Sequence, residues 1–189
     1  TVGLSNPAKH GAAIGGGYGA TNTTVNIGGT AIVEASGGEN APGIGSIDPA
    51  CSVTITGGTV EAWGGEQAAG IGGAYLRDSC PVTIAGGTVT AYGGNTGAGI
   101  GSGCGGNSTT DRYTTGNIKI SGGTVTANGG YFAAGIGGGE YNTAGEILIS
   151  GGTVIATRDT SKDNDSTIQG GRFDIGDGFI FINNTPVYA

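Results

Sequence analysis

Hydrophobic and polar residues along this chain alternate in short bursts separated by paired glycines. Val82-Thr83-Ile84 and Thr88-Val89-Thr90-Ala91-Tyr92 are typical, with Gly86-Gly87 between them and Gly93-Gly94 after. A period of two belongs to a strand with one buried face. Val82, Ile84, Val89 and Ala91 are therefore expected to point inward, and Thr83, Thr88, Thr90 and Tyr92 outward. A helical reading fails, because no apolar period near 3.6 survives the glycine pairs.

The bursts repeat. Gly-Gly-Thr recurs at Gly28, Gly57, Gly86, Gly122 and Gly151, at steps of 29, 29, 36 and 29 residues. A Gly/Ala-Ile-Gly motif recurs with Ile14, Ile44, Ile71, Ile100 and Ile136. Before each Gly-Gly stands Val25-Asn26-Ile27, Val53-Thr54-Ile55, Val82-Thr83-Ile84, Ile118-Lys119-Ile120 or Ile147-Leu148-Ile149. Three short strands per unit, with units stacked about 4.8 Å apart, predict a right-handed parallel β-helix of three sides and about five coils. Each unit then buries its apolar side only against its neighbours.

The expected organisation is one β-helix domain over 1–189. Its units are about 9–38, 39–65, 66–94, 95–130 and 131–157, followed by a C-terminal loop and cap over 158–189. The seven extra residues of the fourth unit fall in the polar stretch 105–116. Residues 159–166 are polar and break the pattern. The apolar segment from Phe173 to Ile182 reads as a cap, or as the start of a further coil, over an open solenoid edge.

Composition narrows the function classes. The chain carries 45 glycines in 189 residues, far above the usual share of about 7%, yet it has 36% hydrophobic residues. Five prolines and no Gly-X-Y period exclude collagen, and the apolar content argues against a solvated coil. Tight corners need glycine, some of it at positive φ. The net charge is −7, and the seven basic residues are scattered. No basic stripe can be drawn, so no nucleic-acid partner is expected. No apolar run is long enough for a transmembrane helix, so no membrane insertion is expected. The chain opens at Thr1 without a leader-like segment and is expected to be a mature or excised piece of something larger.

Units of the form Ala-Gly-Ile-Gly-Gly, then Ile-x-Ile-x-Gly-Gly-Thr-Val-x-Ala-x-Gly-Gly, resemble the glycine-rich β-helix repeats of large secreted or wall-attached proteins of Gram-positive bacteria. The resemblance covers about residues 9–157. Such proteins are carbohydrate-binding or adhesin-like, so the resemblance implies a surface-exposed, non-catalytic role. It supplies no binding motif that transfers residue by residue.

Cys51 and Cys80 each stand two residues before the Val of the second strand, so they occupy one place in successive coils. Stacked neighbours lie near the Cα separation that a disulfide accepts, roughly 5.5 Å. A Cys51–Cys80 disulfide is predicted, which suits an oxidising, extracellular compartment; the alternative is two stacked thiols. Cys104 has no stacked partner. With no Cys-x-x-Cys and only His10 to assist, no zinc site is expected.

The outward ladder that ends each third strand reads Ser36/Trp63/Tyr92/Asn128/Thr157, with Glu34/Glu61/Thr90/Thr126/Ile155 beside it. Trp63 and Tyr92 with Glu34, Glu61 and Thr90 are the candidate ligand-binding residues. Aromatic rings among carboxylates and hydroxyls suit a polysaccharide or a glycoprotein glycan. The alternative is a ladder that merely stabilises the sheet. At the next corner run Lys9/Glu39/Glu66/Asn95/Tyr131 and His10/Asn40/Gln67/Thr96/Phe132, where a cation between Glu39 and Glu66 is set against two solvated carboxylates.

Four roles compete. A non-catalytic adhesin or carbohydrate-binding module stands first, and a structural or self-associating stalk second. A polysaccharide-degrading enzyme has stacked carboxylates near 5 Å in its favour, but only one His, no compact Asp cluster and no long cleft-walling loops; no catalytic residue is named. Ice binding has Thr88-Val89-Thr90 and Thr124-Val125-Thr126. The other coils read Thr30-Ala31-Ile32, Thr59-Val60-Glu61 and Thr153-Val154-Ile155, so the array is broken. Calcium near Asp159, Asp163 and Asp165, or near Asp174 and Asp177, matches neither the Gly-Gly-x-Gly-x-Asp β-roll nor an EF-hand loop, and a solvated acidic loop is the favoured account. Cofactors and structural metals are therefore expected to be absent.

Overall fold

The computed structural model describes residues 2–5, 11–48, 50–106, 113, 116–142, 145–158, 172–175, 179–182 and 185–187. These residues form an all-β solenoid of about five turns, in which parallel strands stack coil upon coil. Among them, no helix is long and apolar enough to cross a membrane.

Three strand ladders run along the solenoid. The first is built from the Ile-Gly motif: Ile14–Gly16, Ile44–Ser46, Ile71–Gly73, Ile100–Gly101 and Ile136–Gly137 pair in parallel as one sheet. The second contains Thr23–Ile27, Cys51–Ile55 and Val82–Ile84. The third contains Ile32–Ser36, Thr59–Trp63 and Thr88–Tyr92. In the fourth and fifth coils the second and third strands fuse into Ile118–Gly129 and Glu146–Arg158, which join both ladders. This differs from the three separate strands expected in every coil. The register slips between Ile120 and Thr124, so the Gly122-Gly123 corner is made by a bulge instead of a break.

The two long ladders reach beyond the five units. Val2–Ser5 pairs with Ile32–Ser36, a strand that the unit boundaries did not foresee. Arg172–Ile175 and Phe179–Ile182 both pair in parallel with Glu146–Arg158, so the C-terminal segment continues the coil on two sides. Thr185–Val187 then turns back antiparallel on Phe179–Ile182.

Alternation places the core as the sequence requires. Ile44, Ile71, Ile100 and Ile136 of the first ladder are buried, as are Val53/Ile55, Val82/Ile84, Ile118/Ile120 and Ile147/Ile149 of the second. Val60/Ala62, Val89/Ala91 and Val125/Ala127 of the third close the core. Fully burying one Ile or Val stabilises by about 1.5–3 kcal/mol, and each lies on another Ile or Val in the next coil, as Val82 lies on Ile118. The first ladder is covered on its outer side as well. Ala41, Ile47 and Ala74 form a separate small cluster there, and Ser46 and Ser102 are buried. The Gly139 amide donates to Ser102 Oγ at 3.0 Å, and Ser79 Oγ donates to the Gly101 carbonyl at 2.7 Å.

Cys51 and Cys80 are joined by a disulfide with a Cα separation of 5.1 Å, across 29 residues of chain. It staples the second and third coils at the entry to the second ladder.

Candidate functional site

The third ladder carries the outward side chains that sequence reasoning selected. Glu34 stands opposite Glu61 and Ser36 opposite Trp63. Glu61 then meets Thr90, and Trp63 meets Tyr92. Period-two alternation produces this arrangement: Val33, Ala35, Val60, Ala62, Val89 and Ala91 turn inward and are buried, so their neighbours must turn outward. The structure therefore brings Trp63, Tyr92, Glu61, Glu34 and Thr90 onto one face.

The Trp63 and Tyr92 rings are stacked, with centroids 5.7 Å apart and planes 8° from parallel. Parallel strands impose this, since residues in register lie one strand spacing apart with the same outward direction. Both rings are half-buried. Stacked rings cover one face of each other, so the pair is not a two-ring floor. The free face of Trp63 lies toward the small Ser36, and that of Tyr92 toward Asn128. Asn128 is engaged, because Thr157 Oγ1 donates to its Oδ1 at 2.6 Å. Glu34 is exposed and Glu61 half-buried, which puts two like-charged carboxylates beside the Ser36 flank of Trp63.

The threonine array is narrower than the expected alignment. Thr88 and Thr90 pair with Thr124 and Thr126. In the first coil, however, Ile32-Val33-Glu34 and not Thr30-Ala31-Ile32 faces Thr59-Val60-Glu61. Thr30 and Ala31 belong to the turn, where the Ala31 amide donates to the Gly28 carbonyl at 3.4 Å and the Ala31 carbonyl accepts from the Thr59 amide at 2.8 Å.

The corner ladder pairs as read: the amides of Gln67, Thr96 and Phe132 donate to the carbonyls of Glu39, Glu66 and Asn95. Lys9 and His10 lie outside the described residues, as do Asp159, Asp163, Asp165 and Asp177. Among the described residues, no three His, Cys, Asp or Glu side chains come together as a metal site would need.

Cys104 is a buried free thiol. Burial raises its pKa above the ordinary thiol value, and the Glu140 carboxylate acts in the same sense. The Gly106 amide and the Thr96 hydroxyl oppose them. A protonated, buried thiol is a weak nucleophile.

A second concavity opens at the outer corner that follows the first ladder. It has a volume of about 220 Å³ and is lined by Tyr18, Asn40, Ile47, Tyr75, Leu76 and Arg77. Sequence reasoning did not select these residues. Its one signal was that Tyr18 and Tyr75 both stand four residues after the Ile of the Ile-Gly motif.

Comparison with known proteins agrees with the architecture. A family model described as a beta helix repeat matches residues 53–75, 82–104, 118–140 and 147–158. Each match opens on the second ladder, at Val53, Val82, Ile118 or Ile147, and the first three run through the next Ile-Gly strand. The segments 76–81, 105–117 and 141–146 fall between matches. No curated protein and no solved structure matches the chain. Repeat sequence, strand register and core thus agree that this chain is a β-helix repeat protein.

Proposed function

We propose that this chain is a non-catalytic, extracellular β-helix module of a bacterial surface adhesin, binding polysaccharide or glycoprotein glycans through the third face. The observation that carries this reading is the half-buried Trp63–Tyr92 stack in a row of outward Glu and Thr side chains. A sugar ring offers one C–H face to an aromatic plane and hydroxyls to acceptors around it. Trp63 leaves its Ser36 side open for the ring, and Glu34 and Glu61 accept hydroxyl protons there. Two carboxylates favour a neutral, hydroxyl-rich glycan over an acidic one on this face. The Cys51–Cys80 disulfide supports an oxidising compartment.

Emission of the single Trp tests the reading directly. The protein is titrated with bacterial, plant and mucin glycans. A saturable shift that is lost in Trp63→Ala is expected, with the fold checked by circular dichroism.

A structural, self-associating stalk is the second reading. The register Trp63↔Tyr92 that supports a platform also makes the pair an inter-coil contact in its own right. Silence across the whole glycan panel, in a folded protein, selects the stalk.

A further inference from the structure

The outer pocket differs in chemistry from the third face. Its walls combine two aromatic side chains, Tyr18 and Tyr75, with the apolar Ile47 and Leu76, one cation, Arg77, and one amide, Asn40. The Arg77 guanidinium lies over the Tyr18 ring, 5.7 Å from its centroid, and Nη1 donates to the Leu76 carbonyl at 3.0 Å. Those two contacts fix the head group and commit few of its five N–H donors. Asn40 Oδ1 is buried and, among the described residues, has no hydrogen-bond partner. A buried acceptor left unmet is destabilising, so a donor supplied from outside is favoured at that atom.

The loop that carries Arg77 is held in a costly shape. Leu76 has φ 55°, a left-handed conformation rare for a non-glycine residue. Its amide donates to the Cys104 carbonyl at 2.9 Å, while the Tyr75 amide donates to the Asn40 carbonyl at 3.1 Å. Strain of this kind persists only where surrounding contacts fix it, and it concentrates at ligand sites. Leu76 and Arg77 also fall between two matched repeat segments, 53–75 and 82–104, in a loop of the kind where solenoid proteins carry insertions particular to one repeat.

We propose that this pocket binds one carboxylated sugar residue, as a free acid or at a glycan terminus. The Arg77 guanidinium takes the carboxylate, a sugar hydroxyl donates to Asn40 Oδ1, and the C–H face packs on Tyr75, Leu76 and Ile47. The volume is below the roughly 300–1,000 Å³ of drug-sized sites, which suits a single ring. A bare phosphate meets only part of the site, since it satisfies Arg77 but brings no apolar face to Tyr75, Leu76 and Ile47. Of the chain's charge of −7, only carboxylates within about 8 Å oppose an anion here, since charges farther away are screened at physiological ionic strength. Glu39, Asp48 and Asp78 adjoin the lining residues Asn40, Ile47 and Arg77 in sequence, so the Arg77 guanidinium is the group on which anion binding depends.

The test is calorimetric titration of the intact, oxidised protein with glucuronate, galacturonate and N-acetylneuraminate, using glucose and inorganic phosphate as controls. At least one acid is expected to saturate, with glucose and phosphate about tenfold weaker or more, the scale of one charge-assisted hydrogen bond. Arg77→Gln is expected to weaken that acid by about the same factor. Asn40→Asp, which keeps the side-chain size and adds a like charge, serves as the second variant and is expected to abolish binding. Trp63→Ala is expected to leave this site unchanged, which separates it from the third face. Failure of all three acids to saturate overturns the proposal, as does equal binding of phosphate or glucose, or an affinity untouched in both pocket variants.

Discussion

Gly72 lies directly against Gly101 of the next coil: a Cβ built on Gly72 would stand 2.1 Å from the Gly101 carbonyl oxygen. The same residue has φ +131°, a backbone conformation that side chains avoid. Gly45 repeats the geometry one coil earlier, where a built Cβ would stand 2.0 Å from the Gly72 carbonyl oxygen. Glycine is required here by backbone-on-backbone stacking. Gly72→Ala combines conformational strain with overpacking, each worth about 1–3 kcal/mol. It is expected to lower unfolding stability by about 3 kcal/mol or more. Gly17 has open space where its Cβ would be, so Gly17→Ala is the control and is expected to change stability by less than about 0.5 kcal/mol. Urea midpoints of both variants check the contrast.

Much of this architecture is legible in the sequence. Period-two alternation fixed which of Val82, Thr83 and Ile84 face inward, because a slip of one residue would expose every Ile. The 29-residue step between the second and third coils likewise placed Cys51 over Cys80. The first coil was harder. Gly28-Gly29-Thr30 matches Gly57-Gly58-Thr59 letter for letter, yet Thr30 and Ala31 are spent in the turn and Ile32 takes the place opposite Thr59. Letters repeat where a corner repeats, whereas pairing follows the buried side chains. The outer pocket was beyond reach for another reason. Tyr18, Asn40 and Arg77 come from three coils, and their approach depends on how the loops on either side of the Ile-Gly strands fold over the first ladder. No period encodes that.

Reduction should weaken the solenoid without changing its shape. The Cys51–Cys80 bond closes a loop with a sequence separation of 29, for which restriction of the unfolded chain is worth about 3.5 kcal/mol. Oxidised and reduced protein compared in urea, with Cys51→Ser/Cys80→Ser as the permanent reduced form, should differ by about 2–4 kcal/mol. Equal midpoints would show that neighbouring coils hold this register unaided.

The central core should be intolerant of truncation. Ile84 is fully buried between Ile55 and Ile120 in the second ladder. Ile84→Ala is expected to cost about 2–5 kcal/mol, and Ile84→Val about 0.5–1.5 kcal/mol. An Ile84→Ala cost below that of Ile84→Val, measured by the same denaturation, would contradict the packed ladder.

The Trp63–Tyr92 stack makes a separate prediction about coupling. A double-mutant cycle of Trp63→Ala and Tyr92→Ala is expected to give an interaction of about 0.5–1.5 kcal/mol, as stacked aromatic pairs do. Trp63→Ala and Asn128→Ala, which do not touch in register, are expected to add within about 0.5 kcal/mol. Additivity of the first pair would mean that the rings do not hold each other in solution.

Cys104 supplies the pH prediction. Its folded pKa lies above the ordinary thiol value, chiefly because burial disfavours the thiolate. The folded state therefore keeps its proton at a pH where the unfolded chain has begun to release it. Fewer protons bound in the unfolded state mean that stability falls as pH rises. The contribution is fully present below the unfolded pKa, near 9.0, and is lost as pH climbs from there toward the folded value. In Cys104→Ala this alkaline decline is expected to flatten, while the acid side of the profile stays as it was. Alkylation by iodoacetamide gives the kinetic counterpart: at pH 8.5 the thiol should react far more slowly in the folded protein than in urea. An equal rate in both states would place the thiol in solvent and remove the burial on which the predicted slope depends.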